Sequence, residues 1–368
     1  MYILAIETSC DETAAAIIKI SGQGANITLK ILSNVVASQI ALHSKYGGII
    51  PEVAARAHIE QMLPVLQQAI KEASVAPGQI DLIGVTNGPG LITSLLVGVE
   101  TTKVLSWLNH KLLLGINHLA GHFYAAFINL FLGQEKLNGG EVFPAVGLIV
   151  SGGHTELVLM KDWHSFKKIG QTLDDAAGEC FDKVAKLLNL GYPGGPVIAR
   201  RASQAKRSLK DFGLDLPRPM LSNPDYNFSF SGLKTAVLYL LQNKKNNHYL
   251  QSPEREEFVN ALCQEVQRAA IDVLVGKTLR AGLKYKAKSI ILGGGVAANQ
   301  ELRTQMAKRV SGLRANLNFL VPPREFCTDN ALMMAVATYF KWQKLTLAQK
   351  EKAKQSWQNI KVDPNLNL

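Results

Sequence analysis

Apolar residues along this chain come in short runs broken by Gly, Ser, Thr, Asn and Asp, and these runs alternate with longer stretches of helical spacing. Residues 2–7 form one run, which ends at Thr8-Ser9-Cys10-Asp11-Glu12-Thr13; a second run, 14–20, follows at once. The pattern predicts strand, polar turn, strand, then a turn at 22–26 and a third strand over 27–37. Residues 38–51, with His43, Tyr46, Gly47 and Gly48, read as a loop. Val53, Ala54, Ile59, Met62, Leu63, Leu66 and Ile70 recur at helical spacing and predict a helix over 52–71. A strand at 81–86 runs into the turn Asn87-Gly88-Pro89-Gly90 and a helix over 91–110. Strand, glycine turn and helix N-terminus is the generic geometry for binding an anion. A short strand at 111–116 precedes a helix over 118–131, which Asn117 can cap.

The second half restarts this order. A strongly apolar strand at 143–150 ends in Ser151-Gly152-Gly153-His154-Thr155, and strand resumes over 156–160. Two such hairpins, each followed by helices, form the pattern of the two-domain α/β fold of actin, hexokinase and the Hsp70 chaperone ATPases, in which nucleotide lies in an interdomain cleft between like domains. Further on, a helix is expected from 174 to about 190, with Asp182 two turns beyond Asp175. Gly191-Tyr192-Pro193-Gly194-Gly195-Pro196 reads as a rigid turn, and a helix over 197–209 follows. A long helical region spans 254–283, and a strand at 289–292 ends in Gly293-Gly294-Gly295 before a helix from Gln300. Glycines there with Asn299 at the helix start suit a nucleoside or ribose contact. A last strand at 319–323 leads through Cys327-Thr328-Asp329-Asn330 into a helix over 332–342, and the Lys/Gln-rich stretch 341–361 reads as a peripheral, frayed tail.

A length of 368 residues allows about two domains, and 47% apolar content suits a globular protein. No apolar run reaches the length of a membrane span, and the first residues lack the basic and apolar regions of a signal peptide. Cys10, Cys180, Cys263 and Cys327 lie far apart without C-x-x-C spacing, which fits a reducing cytoplasm better than a disulfide framework or a zinc finger. The net charge of +11 suggests a polyanionic partner, nucleic acid first. Arg200, Arg201, Lys206, Arg207 and Lys210 are either a solvated helix face or an RNA phosphate contact.

His118 and His122 are four apart, so a helix would set both imidazoles on one face, one turn apart. Paired imidazoles can hold one divalent metal, Zn or Fe, although the spacing alone also suits two ordinary histidines.

Nine segments in order resemble one family over nearly the whole chain. They are 6–13, 87–91, 118–122, 150–155, 174–182, 192–195, 228–234, 294–299 and 327–330. The chain resembles the bacterial TsaD (formerly Gcp, Kae-type) family of tRNA adenosine threonylcarbamoyltransferases; beyond about Trp342 the likeness does not extend. The resemblance implies the actin/hexokinase/Hsp70-like fold, with an N-terminal subdomain of 1–116 plus about 325–345, a C-terminal subdomain of 117–324 and a polar basic tail, 346–368. It implies a metal site of His118, His122 and Asp329 holding one Fe(2+) or Zn(2+). Ile149, Val150, Ser151, Gly152 and Gly153 match the loop that holds the donor's phosphate and acyl part. Asp182, Gly195 and Asn299 match positions that bind its nucleoside. The implied substrates are threonylcarbamoyl-adenylate and a tRNA, and the implied partners are a TsaB-like paralogue and a TsaE-like small ATPase.

Asp11, at the first hairpin tip, is the candidate general base, with a turn-capping role as the competing reading. A metal-dependent glycoprotein endopeptidase is the alternative activity. Zincins place a glutamate directly after the first histidine, and Leu119 stands there instead. A non-catalytic paralogue should lack the metal histidines, and a sugar kinase would not account for H-x-x-x-H with Cys-Thr-Asp-Asn.

Overall fold

The structure, a computed structural model, describes residues 1–22, 26–138, 140–243, 249–313, 317–353 and 356–368. Most of the turn expected at 22–26 lies outside the described residues.

Two five-stranded sheets share one plan. The first orders its strands β3-β2-β1-β4-β5: β1 (Tyr2–Glu7), β2 (Glu12–Ser21), β3 (Thr28–Ser38), β4 (Leu82–Gly88) and β5 (Leu112–Asn117). The second orders them β8-β7-β6-β9-β10: β6 (Ala145–Val150), β7 (Thr155–Asp162), β8 (Ser165–Gln171), β9 (Ser289–Gly293) and β10 (Asn318–Leu320). In each, three strands consecutive in the chain are joined by two more that return from helical crossovers. β1 pairs antiparallel with β2 and parallel with β4, and β6 pairs parallel with β9. The restart legible in the sequence is this duplication. β8 was not among the expected strands; its exposed alternation Ser165-Phe166-Lys167-Lys168 lacks a continuous apolar run.

In the first unit helices cover both faces of the sheet, so its central strands are apolar throughout rather than alternating. Ile83 and Val85 join a buried cluster with Met62, Val65 and Leu66 of α1 (Pro51–Ala73). Between them Gly84 points the other way: a Cβ there would lie 1.9 Å from Thr338 Oγ1. α2 (Ile92–Asn109) packs on β4, and α3 (His118–Ala125) follows β5 without a gap. The expected helix over 118–131 breaks after Ala125 and resumes as a short turn, Ile128–Phe131. The second unit contains α4 (Ala177–Leu187), α5 (Gly194–Gln204), α6 (Ser231–Gln242), α7 (Arg255–Lys284) and α8 (Gln300–Leu313). Thr338 belongs to α9 (Ala331–Lys344), which lies against β1, β2, β4 and β5 of the first unit.

The compact units part elsewhere than at residue 117. One comprises Met1–Gly140, Met160–Phe166 and Leu320–Leu368, and the other Glu141–Leu159 and Lys167–Phe319. α3 therefore belongs with the first sheet, because it continues β5 and packs against α9. The tail expectation is also corrected. Trp357, Ile360 and Val362 pack on the first unit's core, and Ser356 Oγ donates to the Leu113 carbonyl at 2.5 Å. The Asn87–Gly90 turn is no open anion site: the Asp363 N–H donates to the Asn87 carbonyl at 2.8 Å, and the Gly90 N–H donates to the Pro364 carbonyl at 3.2 Å.

Candidate metal centre

Local chemistry sets α3. The Asn117 side-chain oxygen accepts from the N–H groups of Leu119 and Ala120, at 2.9 and 3.2 Å, and so caps the helix. Gly121 lets the helix approach α9: a Cβ there would stand 2.6 Å from Met334 Sδ and 3.2 Å from Met333 Cγ. Asn330 caps α9 by accepting from the Met333 N–H, and its Nδ2 donates to the carbonyls of Phe326 and Thr328, which shapes the loop carrying Asp329.

The result is a cluster within the first unit. His118 Nε2 lies 3.4 Å from Asp329 Oδ1 and His122 Nε2 lies 3.1 Å from it. One donor atom from each of the three residues falls within 4.8 Å of the others. Ligands about 2.0–2.1 Å from a tetrahedral ion stand about 3.3 Å apart, so this spacing suits a metal. The state of His122 tests the fit independently. Its side chain is 1% exposed, and among the described residues neither ring nitrogen makes a hydrogen bond, Nε2 facing the Asp329 carboxylate as a charge contact alone. A buried imidazole with unsatisfied nitrogens is costly unless something else satisfies it, and a cation facing Nε2 would.

Glu7, at the end of β1, completes the arrangement and was missed in the sequence. It is fully buried, and its carboxylate accepts from the Ser9 N–H and from Thr86 Oγ1, both at 2.5 Å. His118 Nδ1 lies 3.2 Å from Glu7 Oε2 and 3.1 Å from Ser9 Oγ. A carboxylate behind Nδ1 commits the proton to that nitrogen and leaves Nε2 for a metal, the usual outer-shell arrangement of a metal histidine. Burial disfavours a charged His118, but the carboxylates of Asp329 and Glu7 outweigh it and raise its pKa to about 9. The only sequence signal for Glu7 is a carboxylate ending a buried strand.

Asp11 sits at the hairpin tip, with its backbone carbonyl accepting from the Gln39 N–H at 2.9 Å. The neighbouring Glu12 carboxyl is pushed well up, first by burial and then by the charges of Asp329 and Asp11 and a hydrogen bond with Asp11.

The remaining candidates belong to the second unit. The Ser151 N–H donates to the His154 carbonyl, and the His154 N–H donates to Ser151 Oγ, so the 151–154 turn closes on itself. Ile149 and Val150 are buried in β6, whereas Gly152 and Gly153 are exposed with open space where side chains would stand. The Gly178 N–H in the first turn of α4 donates to the Ser151 carbonyl at 3.2 Å, and a Cβ on Gly294 would meet the Val150 carbonyl at 2.4 Å. The phosphate-type turn, a helix N-terminus and the glycine loop after β9 are thus neighbours. Asp182 accepts from the Gly194 N–H at 2.7 Å, and Gly195 stays open. Asn299 caps α8 by accepting from the Leu302 N–H, and its Nδ2 donates to Gln267 Oε1 at 2.8 Å. Both residues line a cavity of about 660 Å³ with Ala199 and Ser203 of α5 and Arg268 of α7.

Two side chains of the basic run are paired within the unit. Arg201 pairs with Glu256 at 3.0 Å and Arg207 with Glu254 at 3.2 Å, and Glu257 accepts from the N–H groups of Lys206 and Arg207.

Two sheets of like strand order, each with three consecutive strands and a parallel neighbour beside the first of them, define the actin/hexokinase/Hsp70 class of α/β fold, here with a His-His-Asp cluster in one unit. Solved structures of similar fold include HypF from T. kodakarensis (TM-score 0.56, 13% identity, covering 93% of this chain and 48% of that one). Another is (R)-2-hydroxyglutaryl-CoA dehydratase component A from Acidaminococcus fermentans (TM-score 0.50, 12% identity, 94% and 100%). The family model for TsaD, tRNA N6-adenosine threonylcarbamoyltransferase, matches residues 30–336, and the chain belongs to that family. Proteins named tRNA N6-adenosine threonylcarbamoyltransferase from Anoxybacillus flavithermus and Bacillus subtilis are each 46% identical to it. They match over 337 residues (92% of this chain, 91% of the relative) and 344 residues (94% and 91%).

Proposed function

We propose that this transferase moves a threonylcarbamoyl group from threonylcarbamoyl-adenylate to the N6 amine of the adenosine 3′ of the anticodon in tRNAs reading codons that begin with A. The membership of the TsaD family carries this reading. The acceptor nitrogen attacks the carbamoyl carbon, the bond from that carbon to the AMP phosphate oxygen breaks, and the amine proton passes to a base. The amine is a weak nucleophile because its lone pair is delocalised into the ring, and the donor is already activated. Catalysis therefore consists of positioning and charge stabilisation.

In the second unit, Gly152 and Gly153 offer unencumbered backbone to the donor's phosphate and acyl part, beside the N-terminus of α4. Asp182, in holding Gly194, sets the turn that receives the nucleoside, and Gly195 allows its close approach. Asn299 borders the cavity that suits the nucleoside's body. In the first unit, His118, His122 and Asp329 hold one Fe(2+) or Zn(2+), with Glu7 fixing the first histidine. A bound ion there supplies Lewis-acid stabilisation of substrate oxygens. Asp11 serves as the proton acceptor, beside the buried Glu12 carboxyl.

Partners of the TsaB and TsaE kinds fit the family. α1 leaves Ile59 and Leu63 exposed at i, i+4, and α2 does the same with Ile92 and Leu96, apolar pairs that suit a helical partner. No described helix is long and apolar enough to cross a membrane, and four free cysteines with a tRNA substrate suit the cytoplasm. The test is incubation with tRNA, the adenylate and candidate partners, followed by nucleoside mass spectrometry. Threonylcarbamoyladenosine at the expected tRNA position supports the reading; peptide cleavage without tRNA modification refutes it.

A further inference from the structure

Both ends of the Asn117 amide are in use. Its oxygen caps α3, and its Nδ2 donates to the Leu366 carbonyl at 3.1 Å. The same segment holds Asn87: its Nδ2 donates to the Lys361 carbonyl at 3.1 Å, and its own carbonyl accepts from the Asp363 N–H at 2.8 Å. The Gly90 N–H donates to the Pro364 carbonyl. Residues 361–366 therefore lie across the carboxyl ends of β4 and β5, where open α/β sheets place their sites. The turn is shaped for this occupant: a Cβ on Gly88 would fall 1.9 Å from the Asp363 carbonyl oxygen and 2.9 Å from Leu366 Cβ. Trp357, Ile360 and Val362 anchor the approach on the core. The family match ends at residue 336, so this segment is separate from what identifies the family.

We propose that residues 361–366 are a positioning strap for the metal centre. By fixing Asn117 they hold the first turn of α3, and so keep His118 aligned with His122 and Asp329. The strap acts through Asn117, which adjoins His118 directly, and through the turn at the end of β4, the strand that carries Thr86 against Glu7. This inference rests on the reading of those three residues as a metal site.

The experiment is a double-mutant cycle read by Zn(2+) affinity, using chelator competition on metal-stripped full-length protein, with thermal unfolding recorded alongside. Asn117→Asp keeps an oxygen to cap α3 but sets an acceptor against the Leu366 carbonyl. Deletion of 361–368 removes the strap. Of the four hydrogen bonds to Asn87, Gly90 and Asn117 that the deletion removes, the one to Asn117 reaches α3, and its loss is expected to weaken Zn(2+) binding by roughly three- to tenfold. In the deletion background Asn117→Asp should cost less than in the full chain, because the bond it breaks is already gone. A peptide of residues 356–368 added in trans should restore affinity to the deletion variant. Affinity within twofold of the parent after deletion, or losses that simply add, would overturn the strap. If the deletion does not fold, Asn87→Asp takes its place: it opposes the Lys361 carbonyl without touching α3, and unchanged affinity there overturns the proposal. Failure of the parent to bind Zn(2+) would overturn the metal reading itself, a different outcome from equal binding by parent and variants.

Discussion

Glu7→Gln is the sharpest single perturbation of the site. The carboxylate offers Oε1 to the Ser9 N–H, and Oε2 to Thr86 Oγ1 and to His118 Nδ1. Glutamine has the same shape but one acceptor oxygen. If that oxygen stays with Ser9, the amide NH2 faces Nδ1. The imidazole then accepts at Nδ1, its proton moves to Nε2, and the lone pair that a metal requires is lost. If the oxygen turns to His118 instead, the Ser9 N–H is left buried against an NH2 group. Either way the charge that balances a metal-bound histidine is gone. Outer-shell carboxylates of this kind are worth about 10- to 100-fold in metal affinity, or about 1.4–2.7 kcal/mol. Two readouts separate this from general damage. Chelator competition with Zn(2+) or Co(2+) gives the affinity, and nitrogen NMR of the His118 ring in metal-stripped protein, taken above its pKa of about 9, gives the tautomer. Glu7→Asp, which retains the charge, should fall between the parent and Glu7→Gln. Parental metal affinity in Glu7→Gln would refute the assignment, and the ring tautomer shows which way the amide has turned.

Three further outcomes are expected. Asp182→Ala frees the Gly194 N–H and should weaken adenylate binding more than tRNA binding, measured by calorimetry on each ligand; equal losses would count against its role. The pH dependence follows from His118, whose raised pKa of about 9 means that metal must displace a proton at neutral pH. Metal affinity should therefore climb as pH rises toward 9 and then level, whereas the His118 contribution to the stability of metal-free protein, full below its ordinary 6.5, should fade as pH passes through about 9. Titrating affinity and melting temperature from pH 6 to 10 checks both signs. Gly84→Ala forces a Cβ into Thr338, a stiff, fully buried side chain on α9, and should destabilise the first unit by about 1–3 kcal/mol in denaturant unfolding.

What was legible in the sequence follows the range of the forces involved. The two hairpins were visible because apolar runs and small-residue turns are local, and their repetition carries the duplicated sheet order. His118 and His122 were visible because helical spacing puts them on one face. Asp329 lies more than two hundred residues away, and only the resemblance linked it to them; Gly121 and the Asn330 cap are what bring it near. Glu7 was invisible because its role exists only when β1, β4 and α3 meet in space. The division of the chain was misjudged at 117 because a helix directly after a strand carries no mark of the sheet it covers. The tail looked frayed because Lys and Gln dominate its early part, although Trp357, Ile360 and Val362 supply an apolar anchor. For the basic run 200–210 a solvated face and an RNA contact both stayed open, because Glu254, Glu256 and Glu257, which it meets, begin a helix some fifty residues later.

The central claim is that a His118–His122–Asp329 metal centre serves transfer to tRNA, and it is tested most directly by counting metal and product together. Stripped protein is reloaded with graded Fe(2+) or Zn(2+), mixed with tRNA, threonylcarbamoyl-adenylate and the partner proteins, and assayed for threonylcarbamoyladenosine by mass spectrometry. Product should rise with bound metal and level at one equivalent per chain, with His122→Ala flat throughout. Full product from stripped protein, or from His122→Ala with no metal bound, would contradict the account.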